Sequence, residues 1–210
     1  MKIKTCGLFR EEDIDYANEL KPDYIGFVFA ESKRKVGVEK AYNLKNKLDK
    51  EIKSVGVFVN DNLDFILNLI KDKIIDIVQL HGNEENDFLD NLKTKTNAKI
   101  IKFIPVENAK SILNSLNILS DFILLDNLKG GVGKTFNWNY LKEAFELNNN
   151  LKKNFNKKYF LAGGLNKENI GEALKFNPYC VDLSGGLETD GVKDYEKMKY
   201  IINITKNYKD

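Results

Sequence analysis

Two glycine turns near the end of the chain are suited to holding an oxyanion. They are Leu161-Ala162-Gly163-Gly164-Leu165 and Val181-Asp182-Leu183-Ser184-Gly185-Gly186-Leu187. Each follows a short apolar run that reads as a buried strand, and each precedes a stretch that reads as a helix. Glycine lets backbone N–H groups approach an anion with no side chain in the way. A helix starting there aims the positive end of its dipole at the same point. One such turn carries little weight. Two in adjacent strand–helix units predict a phosphorylated small molecule as ligand, held by Gly163, Gly164, Ser184, Gly185 and Gly186.

Four other residues offer chemistry. Cys6 stands at the end of the first apolar run, before Gly7, where a thiol serves as nucleophile or base if it ionises; the competing role is that of a small buried hydrophobe. Asp126 follows four apolar residues, and a carboxylate there needs a reason because buried charge is costly. A cap before the Gly130-Gly131 turn is its plainer role. Together Cys6 and Asp126 supply one base and one acid, the requirement of a proton-shuttling isomerisation. Arg34, in Glu31-Ser32-Lys33-Arg34-Lys35, is suited to bidentate capture of a carboxylate, although a solvated loop charge is the commoner fate. His81, the only histidine, is a possible site-lining residue or a hydrogen-bonded structural one. Asp182, inside its strand, reads as structural or supporting.

Two other candidates are set aside. Lys102 lies mid-strand, the wrong place for a Schiff-base lysine. Gly130-Gly131-Val132-Gly133-Lys134-Thr135 lacks the first glycine of a phosphate-binding P-loop, since Asn127 stands there. It reads as a glycine-rich lid or cradle. No spacing of Cys and His suggests a metal site, and no cofactor is expected.

The elements that must carry these residues alternate along all 210 residues. Apolar, β-branched runs predict eight strands at 3–6, 24–29, 54–59, 75–80, 99–104, 122–126, 159–162 and 180–184. Helical periodicity fills the gaps. Asp61 is placed to cap a helix with Leu63, Ile66, Leu67 and Ile70 on one stripe, and Asn166 one with Ile170, Ala173 and Leu174. The last helix is expected to carry Val192, Tyr195, Met198, Ile201 and Ile202. Continuous rather than alternating apolar strands indicate a parallel sheet covered by helices. Eight units with no linker favour a closed α/β (β/α)8 TIM barrel, one domain over 1–210. Such barrels bind phosphate after strands 7 and 8 and present reactive groups at the strands' C-terminal ends.

Composition narrows the partners. Hydrophobic residues make up 42% and charged ones 30%, and 33 basic against 31 acidic residues give a net charge of +2. With charge interspersed, neither nucleic acid nor a membrane is an expected partner, and Lys157-Lys158 reads as solvated. No signal peptide or membrane span is visible. Two distant cysteines fit a reducing, cytoplasmic location.

The same residues in the same order resemble phosphoribosylanthranilate isomerase, the barrel enzyme of tryptophan biosynthesis. Lys4-Thr5-Cys6-Gly7-Leu8 is similar to the family's opening KxCG[LI]. Gly26-Phe27-Val28-Phe29 with Ser32-Lys33-Arg34 resembles its GFVF…S.R, and Val57-Phe58-Val59-Asn60 and Val78-Gln79-Leu80-His81-Gly82 its third and fourth strand ends. Leu125-Asp126 before Gly130 to Trp138 resembles LLD…GGTGxxFDW, and the glycine turns match LAGGL and VDxSSGxE…GxKD. The resemblance implies a cofactor-free Amadori rearrangement. In it Cys6 is the general base, Asp126 the general acid, Arg34 the partner of the anthranilate carboxylate, and the glycine turns the phosphate site. A monomer or homodimer is expected. A working Cys6 thiolate calls for a lowered pKa, for which the cationic lip around Arg34 is one source, and a protonated Asp126 for a raised one.

Val132, Asn137 and Gly185 depart from the pattern, replacing threonine, aspartate and serine. Two alternatives remain: a related phosphosugar isomerase, which Cys6 in place of an aspartate opposes, and a non-catalytic phosphometabolite binder.

Overall fold

The structure is a computed structural model that describes residues 1–128, 133–150 and 157–208. Val132 and the Gly130-Gly131 turn lie outside them. The strands are β1 (Lys2–Cys6), β2 (Tyr24–Val28), β3 (Lys53–Phe58), β4 (Ile77–Leu80), β5 (Lys99–Val106), β6 (Phe122–Asn127), β7 (Tyr159–Leu161) and β8 (Cys180–Leu183). They pair in parallel, in order, and β8 returns to β1, which closes the barrel. Between them run α1 (Glu11–Leu20), α2 (Val38–Lys47), α3 (Leu63–Lys71), α4 (Asn86–Lys95), α5 (Ala109–Asn114), α6 (Asn139–Asn150) and α7 (Ile170–Leu174), and α8 (Tyr195–Asn207) ends the series. No helix of the described residues is long and apolar enough to cross a membrane.

Strand parity sorts the side chains. Tyr24, Val55, Ile77, Ile101, Leu124, Phe160 and Cys180 pack on one another inside the barrel. Alternate residues such as Ile25, Val78, Leu80, Ile100, Leu125 and Leu161 pack outward with residues of the helices. The inward parity, followed to the C-terminal ends of the strands, delivers Cys6, Gln79, Asp126, Asp182 and Ser184 to one cavity.

Several local expectations are corrected. Asn62, not Asp61, caps α3, with its side chain accepting from the N–H groups of Asp64 (2.8 Å) and Phe65 (3.4 Å). Asp61 instead accepts from the Asn62 N–H at 2.9 Å. Asn166 caps the turn ahead of α7, accepting from Glu168 and Asn169, while Asn169 is the cap residue itself. Val192 belongs to a hairpin of β9 (Glu188–Thr189) and β10 (Val192–Lys193) that precedes α8, because Asp194 caps that helix. Lys157 is half-buried and donates to the Ile118 carbonyl, whereas Lys158 is exposed as expected, with its ammonium 4.9 Å from the centre of the Tyr179 ring.

Candidate active site

Cys6 ends β1 opposite Gly26 of β2. A Cβ on Gly26 would lie 2.7 Å from Cys6 Sγ, so glycine there makes the room that the thiol occupies. Two residues earlier on the same inward face, Lys4 is fully buried and donates to both carboxylate oxygens of Asp182, each at 3.0 Å. Their backbones face each other across the β1–β8 register. Burial alone lowers the Lys4 pKa, but the charges of Asp182 and Cys6 outweigh it and raise it. Lys4 is therefore a permanent cation beneath the thiol.

Burial pushes the Cys6 thiol pKa up, Asp182 adds to this, and the charges of Lys4 and Lys193 pull against it without reversing it. The expectation of a lowered pKa is thus not met. The cations opposing burial come mainly from behind Cys6, Lys4 first, rather than from the lip. Arg34 and Cys6 do feel each other's charge.

Asp126, 6% exposed, sits near the end of β6, three strands from β1 around the ring. Its Oδ1 accepts from the Asn127 N–H at 2.6 Å. Gly163 faces it. A Cβ there would lie 2.4 Å from that oxygen, and the φ of +86° is one that glycine tolerates. Gly163 therefore admits the carboxylate as well as shaping the first turn. Gly164, at φ +62°, is pressed against the backbone of Gly133 and Lys134.

The second turn is joined to the first. A Cβ on Gly186 would lie 1.9 Å from the Leu165 carbonyl oxygen, so the two turns meet backbone to backbone. Gly185–Leu187 forms a short 3-10 turn followed by the hairpin, not the α-helix expected there. Within it the Leu187 N–H donates to the Ser184 carbonyl at 3.1 Å, and the N–H groups ahead of Leu187 have no acceptor inside such a turn. The Ser184 hydroxyl donates to the Cys6 carbonyl at 3.0 Å, which ties β8 to β1. Gly185 has negative φ and lies beside Arg34 Nη2, where an added Cβ would make an ordinary 3.6 Å contact. A serine would fit there.

Arg34 reaches the cavity over Gly7, whose absent Cβ would clash at 2.4 Å with Arg34 Cδ. Its guanidinium is held by Glu188, Nε to Oε1 at 2.6 Å and Nη2 to Oε2 at 2.7 Å. His81 lines the wall, 3.1 Å from Gln79 Nε2 through Nδ1 and stacked on Phe103 at 4.1 Å between ring centres. Burial, then the charges of Lys4 and Lys102, lower its pKa to about 4. The imidazole is uncharged at neutral pH and keeps a single ring N–H to donate.

All nine candidates thus face one cavity of about 610 Å³: Cys6, Arg34, His81, Asp126 and the five residues of the glycine turns. Among the described residues Lys102 is not part of its wall. It pairs with Glu84 (2.7 Å) and the Gly82 carbonyl (2.6 Å) on the other face of β5. Sequence reasoning missed Lys4, Glu188 and Lys193 as parts of the site. The signal for Lys4 was its parity with Cys6 in a strand that could not otherwise bury an ammonium. Asp182, taken as structural, both holds Lys4 and lines the cavity.

The family model for N-(5'-phosphoribosyl)anthranilate isomerase matches residues 3–204. The chain belongs to the phosphoribosylanthranilate isomerase family. A curated N-(5'-phosphoribosyl)anthranilate isomerase from Endomicrobium trichonymphae is 46% identical over 211 residues, covering 98% of each chain. The phosphoribosylanthranilate isomerase crystal structure from Thermus thermophilus superposes with a TM-score of 0.84 at 28% identity, covering 97% of each chain. A crystal structure of the enzyme in complex with reduced 1-(o-carboxyphenylamino)-1-deoxyribulose 5-phosphate superposes at 0.80 with 30% identity, over 99% of this chain and 100% of that one. The barrel thus resembles solved phosphoribosylanthranilate isomerases over nearly its whole length.

Proposed function

We propose that this chain isomerises N-(5'-phosphoribosyl)anthranilate to 1-(2-carboxyphenylamino)-1-deoxyribulose 5-phosphate, a step of tryptophan biosynthesis, with Asp126 as general acid and Cys6 as general base. The observation that carries the assignment is the meeting of Cys6, Asp126 and both glycine turns around one cavity. The phosphate sits on the backbone donors of Gly163, Gly164, Gly185 and Gly186 beside Ser184, and Arg34 takes the anthranilate carboxylate. This spans the substrate between two anion sites and leaves the ribose between base and acid.

Asp126 gives its proton to the furanose ring oxygen as the C1'–O bond breaks, and the nitrogen lone pair forms the C1'=N bond. The Cys6 thiolate removes the C2' proton, and that electron pair makes the C1'=C2' enolamine while nitrogen recovers its own. The proton on Cys6 returns to C1' and the 2'-hydroxyl proton passes to Asp126, which leaves the ketone. Both groups end as they began, and no electrons enter or leave. Because burial favours the thiol form of Cys6, the Lys4 ammonium beneath it is the group that makes the thiolate attainable.

Every group in this account comes from one chain, so each barrel works as a monomer or within a homodimer. The free thiols Cys6 and Cys180 fit a reducing cytoplasm. The test is the fluorescence decay of freshly formed substrate with wild type, Cys6→Ser and Asp126→Asn. Turnover in wild type that falls ~10²-fold or more in each variant is expected. Unchanged turnover in either variant removes that residue from its role. Binding without turnover in wild type leaves only a phosphometabolite-binding barrel.

A further inference from the structure

Glu188 and Lys193 belong to the motif after the second glycine turn, and the chemistry above does not use them. The structure brings them together behind Arg34. Lys193, on β10 and 2% exposed, donates to Glu188 Oε1 at 2.6 Å and to the Ser184 carbonyl at 3.1 Å. Glu188, on β9, accepts from Lys193 and, with both oxygens, from Arg34. Among the described residues neither Glu188 nor Lys193 forms part of the cavity wall. A guanidinium has five N–H groups. Glu188 takes two along one edge and leaves the Nη1 pair and one on Nη2. Gly7 makes room for the arginine at Cδ, and Gly185 lies beside its Nη2.

We propose that Glu188 is a positioning residue: it holds the Arg34 guanidinium edge-on, turns the remaining N–H groups to the carboxylate of the substrate's aromatic ring, and through Lys193 locks that edge to the Ser184 turn. The carboxylate end and the phosphate end of the substrate are thereby set at a fixed separation by one chain of part-buried hydrogen bonds. A lone flexible arginine would lose rotamer freedom on binding, and an arginine already clamped has lost it on folding. The inference rests on the reading of Arg34 as the carboxylate partner.

The test compares two substrates, N-(5'-phosphoribosyl)anthranilate and N-(5'-phosphoribosyl)aniline, which lacks the carboxylate. Glu188→Gln is expected to raise KM for the first ~10-fold, with kcat changed less than ~3-fold. It is expected to leave KM for the second nearly unchanged. In an Arg34→Met background the same substitution is expected to add nothing. The double variant Glu188→Gln/Lys193→Met also removes the buried ammonium that the single change leaves unpaired and is expected to show the same carboxylate-specific loss, which carries the test if Glu188→Gln alone does not fold. Equal losses on both substrates, or a loss that persists without Arg34, overturn the positioning role while leaving Arg34 in place. Equal KM values for the two substrates in wild type instead remove the carboxylate role of Arg34, and the inference falls with it.

Discussion

Two buried lysine–carboxylate pairs stand on opposite faces of the barrel wall, and their chemistry is the same. Lys4 and Asp182 meet inside the barrel under Cys6. Lys102 and Glu84 meet on the outer face of β5, where Glu84 also accepts from the N–H groups of Asn60 (2.7 Å) and Gly82 (3.1 Å). The inner pair sits in the field of the reactive thiol. The outer pair staples the loops after β3 and β4 to β5, where its charges shape architecture. Burial lowers the Lys102 pKa, and the Glu84 carboxylate opposes it; at Lys4 the opposing charges win. One residue of strand parity thus decides whether a buried ion pair lies beneath the cavity or among the outer loops.

Removing each lysine separates the two roles. Lys4→Met is expected to give the largest effect: alkylation of Cys6 by iodoacetamide at pH 7 slows ~10-fold or more, and kcat/KM falls at least as far, because the cation opposing burial is gone. Alkylation as fast as in wild type would sever Lys4 from the thiol. Lys102→Met is expected to destabilise the barrel by ~3–5 kcal/mol in urea, since Glu84 is left buried and unpaired. Its folded fraction is expected to keep kcat within ~3-fold of wild type, and a large kcat loss would erase the contrast.

His81 lies where both lysines are felt. Its pKa falls from the ordinary 6.5 to about 4 on folding. The unfolded chain therefore takes up the proton first, and this contribution to stability is whole above pH 6.5 and fades as pH drops toward 4. Roughly 2–3 kcal/mol of acid sensitivity is expected in that window, read by urea titration at several pH values and reduced in His81→Gln. The smallest effect belongs to Asn137, whose Oδ1 accepts from the Asn139 N–H at 3.1 Å ahead of α6. Asn137→Asp restores the family's charge at a helix N-terminus and is expected to add ~0.3–1 kcal/mol with turnover unchanged.

The barrel was legible in the sequence because eight apolar strand runs and their helices repeat without interruption, and strand existence depends on that pattern alone. Cys6, Asp126 and the glycine turns were legible because strand ends are where barrels place their chemistry. Local endings were less so. Asn62 and Asp61 are both able to cap, and only backbone geometry chooses between them. The hairpin of β9 and β10 is too short to register against the periodicity of α8. The thiol's surroundings were illegible for a different reason. Lys4 and Asp182 are 178 residues apart, and only the β1–β8 closure sets them side by side. The link from Arg34 to Glu188 likewise spans 154 residues and depends on that closure.

The central claim is the division of labour between Asp126 and Cys6, and single turnovers with substrate deuterated at C2' test it most directly. In wild type and Cys6→Ser, removal of the C2' proton is expected to slow with deuterium, most fully in Cys6→Ser, where that step limits the rate. In Asp126→Asn the rate is expected to be limited by ring opening and to show little isotope effect. A full isotope effect in Asp126→Asn, with none in Cys6→Ser, would contradict the assignment.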